Sequence, residues 1–234
     1  MNPSTPFPNQ GEIIRYLAVA MDLKAGNKAF DDFAKDGDTD FKRREKLLDE
    51  VFSKRLKQSI GEQFTSVFRQ ATNGFLDKYI LLVKEQSLDG VPRSVSLPML
   101  ASNFFAWSAT ELLVELAPVI DGPQSLVCLI IPGYSAIKAI IAWLEQNIAG
   151  WQQSFVNWTK EQKDRLKAWC KGDDLPSYTN IQLVVDWLNE GGANLTQSAG
   201  YKIRHLLLMA RMFEWIKKTE LGEFAVEFMN EFNK

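Results

Sequence analysis

The residues whose types could support chemistry lie early in the chain. Asp31, Asp32 and Asp36 fall within six positions, and Asp32 and Asp36 stand four apart. On a helix that spacing puts two carboxylates on one face, where they could hold Mg²⁺ against an anionic substrate. The next segment, Asp36-Gly37-Asp38-Thr39-Asp40, alternates acids as the start of a calcium loop does. Such a loop needs Gly at its sixth position and a bidentate Glu at its twelfth. Phe41 and Leu47 stand there, which excludes an EF-hand. The simpler reading is an acidic loop that favours the N-terminus of the following helix through its dipole, with Asp40 as cap.

The segment Asp31-Asp32-Phe33-Ala34-Lys35-Asp36 resembles the DDxxD-type aspartate motif of terpenoid synthases. The resemblance implies an all-α fold, Mg²⁺ and a diphosphate substrate. It covers six residues. The second metal motif of that family ends in a Glu. The nearest stretch here, Asn194-Leu195-Thr196-Gln197-Ser198, has Lys202 in the place of that Glu. A Mg²⁺-dependent enzyme built on Asp31, Asp32 and Asp36 therefore stands behind two other readings.

Other chemistry is limited by supply. His205 is the single His, and Cys128 and Cys170 are the two Cys. That removes zinc fingers, di-iron bundles with paired Glu-x-x-His motifs, bis-His haem and cysteine-ligated clusters. His205 reads as a boundary residue making one hydrogen bond. Cys128 lies in an apolar run, and Cys170 adjoins Lys171, which could lower its pKa. No GxxxxGK[ST], GxGxxG or GxSxG is present. No catalytic residue, cofactor or metal ligand is assigned.

The elements that would position these residues are helical almost throughout. Ile13, Ile14, Leu17 and Met21 recur at helical spacing, with Asn9 and Glu12 as a capping pair and Gly26 as the stop. Phe30 and Phe33 fit a short turn. Leu47 to Ala71 form a long apolar face with Gly61 as a weak point, ending at Asn73-Gly74, and Phe75–Gln86 repeats the pattern. A further helix is expected from about Pro98 to Ala117. Tyr134, Ile137, Ile141, Leu144, Ile148, Trp151, Phe155 and Trp158 alternate at three and four, the seam of closely aligned helices. Unbroken, residues 134–171 would span roughly 57 Å, and the sequence leaves a break near Gly150 open. Thr179 and Gly191 bound a helix around Ile181–Leu188, and a last long segment runs from Leu195 through Phe213. Trp107, Trp143, Trp151, Trp158, Trp187 and Trp215 are expected to anchor the core or an interface.

These patterns give an all-α fold, an irregular bundle of roughly eight to ten helices. Residues 1–8 read as an extended lead-in. Asp89-Gly90 and the prolines of 87–98 suggest an N-terminal helical subdomain over 9–92 and a C-terminal one over 93–234, one continuous domain being the alternative. The start of the chain does not read as a secretory signal, and two thiols without CxxC suit a cytoplasmic location.

Three surfaces could meet partners. Residues 42–57 carry seven basic side chains against three acidic ones; such a face could touch phosphates, and the simpler reading is a solvated face offset by the Asp-rich loop just before it. The tail sets Glu220, Glu223, Glu227 and Glu231 opposite Phe224, Phe228 and Phe232, an acidic helix with an aromatic ridge. The hairpin 99–149 is the most apolar region. Its window Leu126–Leu144 has 15 apolar residues in 19, close to a membrane span, but Pro132-Gly133 divides it. The architecture resembles, in outline only, pore-forming colicin domains and Bcl-2-like proteins. With a net charge of −2, general nucleic-acid binding is not expected.

The functional expectation is a non-catalytic cytosolic interaction or regulatory protein, a subunit or adaptor with a protein partner or a second copy of itself. Phe224, Phe228, Phe232, Trp151, Phe155 and Trp158 are its candidate contact residues. Insertion of 99–149 into membranes is the alternative.

Overall fold

The computed structural model describes residues 10–23, 41–85 and 135–218, and every regular element among them is helical. α1 spans Gln10–Ala20 and α2 spans Phe41–Leu48. A π-helical segment, Asp49–Ser53, joins α2 to α3, Lys54–Glu85. α4 (Ala136–Asn147), α5 (Trp151–Asn157), α6 (Lys160–Lys171), α7 (Tyr178–Glu190) and α8 (Gln197–Lys217) follow. The protein is all-α. The lead-in, the acidic segment Asp31–Asp40, the boundary 87–98, Cys128, Trp107, residues 99–134 of the hairpin and the Phe224/Phe228/Phe232 ridge lie outside the described residues.

The run from Phe41 to Glu85 shows how spacing dictates shape. Leu48, Phe52, Leu56, Ile60, Phe64 and Phe68 recur every four residues, and all six are buried. At 3.6 residues per turn, a straight helix would rotate such a row about 40° with each step. Two departures from ideal geometry keep the row in the core. The π segment widens the turn at Asp49–Ser53. Gly61 then leaves helical geometry at φ 77°, ψ 169°, a region open essentially to glycine alone. A Cβ there would lie 2.7 Å from Cδ2 of Tyr201 on α8. The weak point read at Gly61 is thus a kink.

Several boundaries differ from the sequence reading. Asn73-Gly74 does not stop α3, because Phe68, Ala71, Phe75 and Leu76 continue the buried stripe and the Asn73 side chain donates to Glu45 at 2.5 Å. α1 ends at Ala20 rather than near Gly26. Asp22 takes the left-handed conformation (φ 56°), and the amides of Asp22 and Leu23 bond the carbonyls of Val19 and Ala18 at 3.0 and 2.8 Å. This is a Schellman ending with Asp in the place of Gly. The 134–171 pattern breaks twice. Ile148 turns extended (φ −97°, ψ 112°) to end the first stretch, Gly150 (φ 80°) stands at the start of α5, and at Thr159 a capping box with Gln162 starts α6. Ser177, not Thr179, caps α7 by accepting from the Asn180 amide at 3.1 Å. At the other end of α7 the left-handed residue is Gly192 (φ 103°), while Gly191 serves close approach: a Cβ on it would lie 2.2 Å from Ser154 Oγ.

α8 is the axis of the core and packs against α1, α3, α4 and α7. From His205 to Glu214 every residue is buried. A helix enclosed all round must bury whatever polar side chains it carries. His205, Arg211 and Glu214 are those side chains.

Candidate functional site

Each of the three buried polar residues of α8 meets a different fate. Arg211 Nε donates to the Pro176 carbonyl at 2.8 Å, and Nη1 donates to the carbonyls of Val19, at 3.4 Å, and Ala20. Those last two carbonyls belong to the end of α1, where the helix dipole favours a cation; the Val19 carbonyl also accepts the Asp22 amide. Nη2 lies 3.9 Å from Asp22 Oδ1. Asp22 Oδ2 in turn accepts the Tyr178 amide at 2.9 Å, at the start of α7. One guanidinium and one carboxylate therefore join the end of α1, the start of α7 and the middle of α8. Burial lowers the Arg211 pKa from its usual range, with Asp22 and Asp174 acting in the opposite sense.

Glu214 closes the start of α4. Its Oε1 accepts the Ala136 amide at 2.5 Å and lies 3.4 Å from Lys217 Nζ, while Ser135 Oγ accepts the Lys138 amide at 3.1 Å. Carboxylate and hydroxyl together cover the free amides of that helix end.

His205 has no such use. Its ring stacks on Phe64 with centroids 4.5 Å apart, and both ring nitrogens are buried without a hydrogen-bond partner. The sequence reading of a boundary residue with one hydrogen bond is corrected: burial is complete, and desolvation pushes the pKa down to about 3. A neutral imidazole sealed from water and from any polar neighbour cannot serve as a general base at neutral pH.

Cys170 is half-buried. Burial first and Glu145 second push its thiol pKa up, against a smaller lowering by Lys138. The activation by Lys171 that the sequence allowed does not operate, and the reactive thiolate is disfavoured. Among the described residues no group of three His, Cys, Asp or Glu is placed to hold a metal ion.

The contact residues read from the heptad pattern divide. Trp151 and Trp158 are buried, so these two candidates face the interior and not a partner. Their rings lie 5.9 Å apart, Trp158 meets Trp187 edge-on at 5.5 Å, and Trp187 stacks on Trp169 at 6.2 Å. Trp158 Nε1 donates to Ser154 Oγ at 3.2 Å, and Ser154 donates to the Leu188 carbonyl at 2.8 Å. Phe155 is half-buried beneath Lys163 Nζ, 5.5 Å from its ring centroid, and Val156 beside it is 72% exposed. Trp169, absent from the anchors expected, is among the most buried side chains. The spacing of Leu166 and Trp169, three apart on one face of α6, would have shown it.

The stretch 42–57 is sorted by charge. Arg44 turns inward and its Nη2 meets Asp77 Oδ1 at 2.8 Å. Glu45 turns inward to Arg69 and Asn73, and Asp49 lies 3.8 Å from Arg69. Lys42, Arg43, Lys46, Glu50, Lys54, Arg55 and Lys57 are exposed.

Among the described residues no helix is long and apolar enough to cross a membrane. The described part of the apolar hairpin, α4, buries Ala136, Ile137, Ile140, Ile141 and Leu144 in the core. No family model matches this chain, and no curated protein or solved structure matches it.

Proposed function

We propose that this chain is a non-catalytic helical interaction protein of the cytoplasm, a regulatory subunit or adaptor that works through its helix faces. The observation that carries this reading is the use made of its buried polar groups. Arg211, Asp22 and Glu214 join helix ends, His205 is neutral and enclosed, and the Cys170 thiol is held protonated. Among the described residues, these polar groups are engaged in architecture. Large apolar side chains remain on the outside, with Val156 72% and Phe41 60% exposed. The tail residues Phe224, Phe228 and Phe232 add a candidate contact from the sequence.

Size-exclusion chromatography with light scattering, on the chain alone and after incubation with host lysate, tests the reading. The expected result is a species heavier than the 26.6 kDa monomer that is lost in the variants Val156→Glu or Phe228→Glu while their helical circular dichroism persists. A strict monomer that captures nothing refutes it.

A further inference from the structure

The surface of α6 carries a regular pattern of charge. Lys160, Lys163, Lys167 and Lys171 follow one another at three, four and four residues. At about 100° per residue that spacing gathers them within an arc of about 80°, on one stripe of the helix. Lys160, Lys167 and Lys171 are exposed. Lys163 Nζ donates to the Val156 carbonyl at 2.9 Å and lies over the Phe155 ring, which ties the stripe to the exposed Val156 of α5. The acids of α6 stand aside. Glu161 pairs with Arg165 at 2.7 Å off the stripe, and Asp164 lies at its margin, 4.0 Å from Lys167. Residues 219–234 lie outside the described residues, but their sequence repeats the spacing with the opposite sign: Glu220, Glu223, Glu227 and Glu231 also follow at three, four and four. The place where this segment begins is set by α8. Lys218 Nζ donates to the Gly172 carbonyl at 2.9 Å, so the chain leaves the described fold at the C-terminal end of α6.

We infer that residues 219–234 dock as an antiparallel helix on the lysine stripe of their own α6. In that register Glu220 meets Lys171, Glu223 meets Lys167, Glu227 meets Lys163 and Glu231 meets Lys160, over roughly 16 Å at helical rise. The same register sets Phe228 level with Lys163 and so with Val156, which Lys163 holds. Exposed ion pairs are individually weak, but a tethered segment samples its site at an effective concentration in the millimolar range, where several weak contacts suffice. That favours the chain's own α6 over the α6 of a second copy. The basic face of α2 and α3 offers no equivalent. Lys46, Lys54 and Arg55 do not share the spacing, and Lys42 and Arg43 are already engaged. The inference goes beyond the interaction reading and stands without it, while bringing the Phe224/Phe228/Phe232 ridge and Val156 into one surface.

Hydrogen exchange of the full chain, read by mass spectrometry on peptides from residues 219–234 at about 50 mM salt, tests it where screening is modest. These peptides are expected to exchange at least about ten-fold more slowly than in the triple variant Lys160→Glu, Lys167→Glu, Lys171→Glu, with the difference fading as salt rises. Adding Glu220→Lys, Glu223→Lys and Glu231→Lys to that variant rebuilds the pairs with their signs exchanged and should restore most of the protection. A control reversal of Lys46, Lys54 and Arg55 should change it less than about two-fold. The neutral triple variant to Gln gives an intermediate loss and serves if the reversal loses its helical circular dichroism. Exchange at the unprotected rate in wild type, equal loss in the control, or a swap that restores nothing overturns the inference. Protection that rises with chain concentration between about 1 and about 50 μM overturns it in favour of the tail of a second copy. The chain is measured alone, so failure here leaves the interaction reading to its own test by light scattering.

Discussion

Replacing His205 by Leu, a side chain of similar volume, tests the description of the α8 core most directly. The imidazole sits in the folded chain without a hydrogen-bond partner and with its pKa near 3. In the unfolded chain it titrates near 6.5. The folded pKa is the lower one, so the unfolded state binds the proton more tightly. Stability associated with His205 is fully present above about pH 6.5 and is lost as pH falls towards about 3, with no further loss below. At 1.36 kcal/mol per unit, the loss is about 2 kcal/mol at pH 5 and approaches about 5 kcal/mol at pH 3. His205→Leu removes this term. It also removes two unsatisfied nitrogens, so it should stabilise the fold at neutral pH by about 1 kcal/mol. Urea unfolding of both proteins at several values between about pH 7.5 and pH 4 gives the comparison. The carboxylates common to both cancel in the difference. The gap between variant and wild type should widen by about 1.4 kcal/mol for each unit below pH 6. Parallel curves would show that the ring is solvated or paired in solution, and the reasoning would fail.

Five further substitutions probe the backbone and the ties between helices. Gly61→Ala should cost about 2–4 kcal/mol, from its glycine-only conformation and the contact with Tyr201, whereas Gly172→Ala (φ 77°, with open space at its Cβ) should cost about 1 kcal/mol by thermal melts. Gly191→Ala should destabilise more than Gly192→Ala despite the ordinary φ of Gly191, because its Cβ meets Ser154; the reverse order in chemical denaturation would refute the close packing of α5 on the end of α7. Arg211→Met should cost about 3–5 kcal/mol, since it strips the guanidinium donor from the buried Pro176 and Ala20 carbonyls, weakens the cover of the Val19 carbonyl and removes the cation beside Asp22. Hydrogen exchange should then show faster opening of α1 and of the first turn of α7 than of α6, and uniform loss of protection would argue against that assignment.

The features legible in the sequence were those with a local cause. Helical class follows from the spacing of Leu47–Phe68 and Ile203–Phe213, and the break at Gly150 and the stop at Gly172 use glycine's access to positive φ. Where local signals failed, a contact from elsewhere in the chain had overridden them. Asn73-Gly74 carries a stop signal, but a helix ends only if ending is cheaper than burying Phe75 and Leu76, and Glu45 from α2 already holds the Asn73 side chain. Asp22 lacks the usual mark of a helix end, yet its carboxylate has both the Tyr178 amide and Arg211 to meet, 156 and 189 positions away. No window centred on residue 22 contains that information.

The same argument bears on the search for a site. Ranking residues by chemical type puts Asp31, Asp32, Asp36, His205 and Cys170 first, and Arg211 and Glu214 nowhere. Type alone does not say what a side chain does, because that depends on whether its element is enclosed. Enclosure of α8 over ten consecutive residues, His205 to Glu214, turns an arginine into a tie for helix α1, a glutamate into a cap for α4 and a histidine into a neutral aromatic plate. On α2 packing again separates like types: Arg44 and Glu45 turn inward to Asp77 and Arg69, while Lys42, Arg43 and Lys46 stay exposed. Among the described residues the partition of charge between inside and outside exists only once the helices are packed.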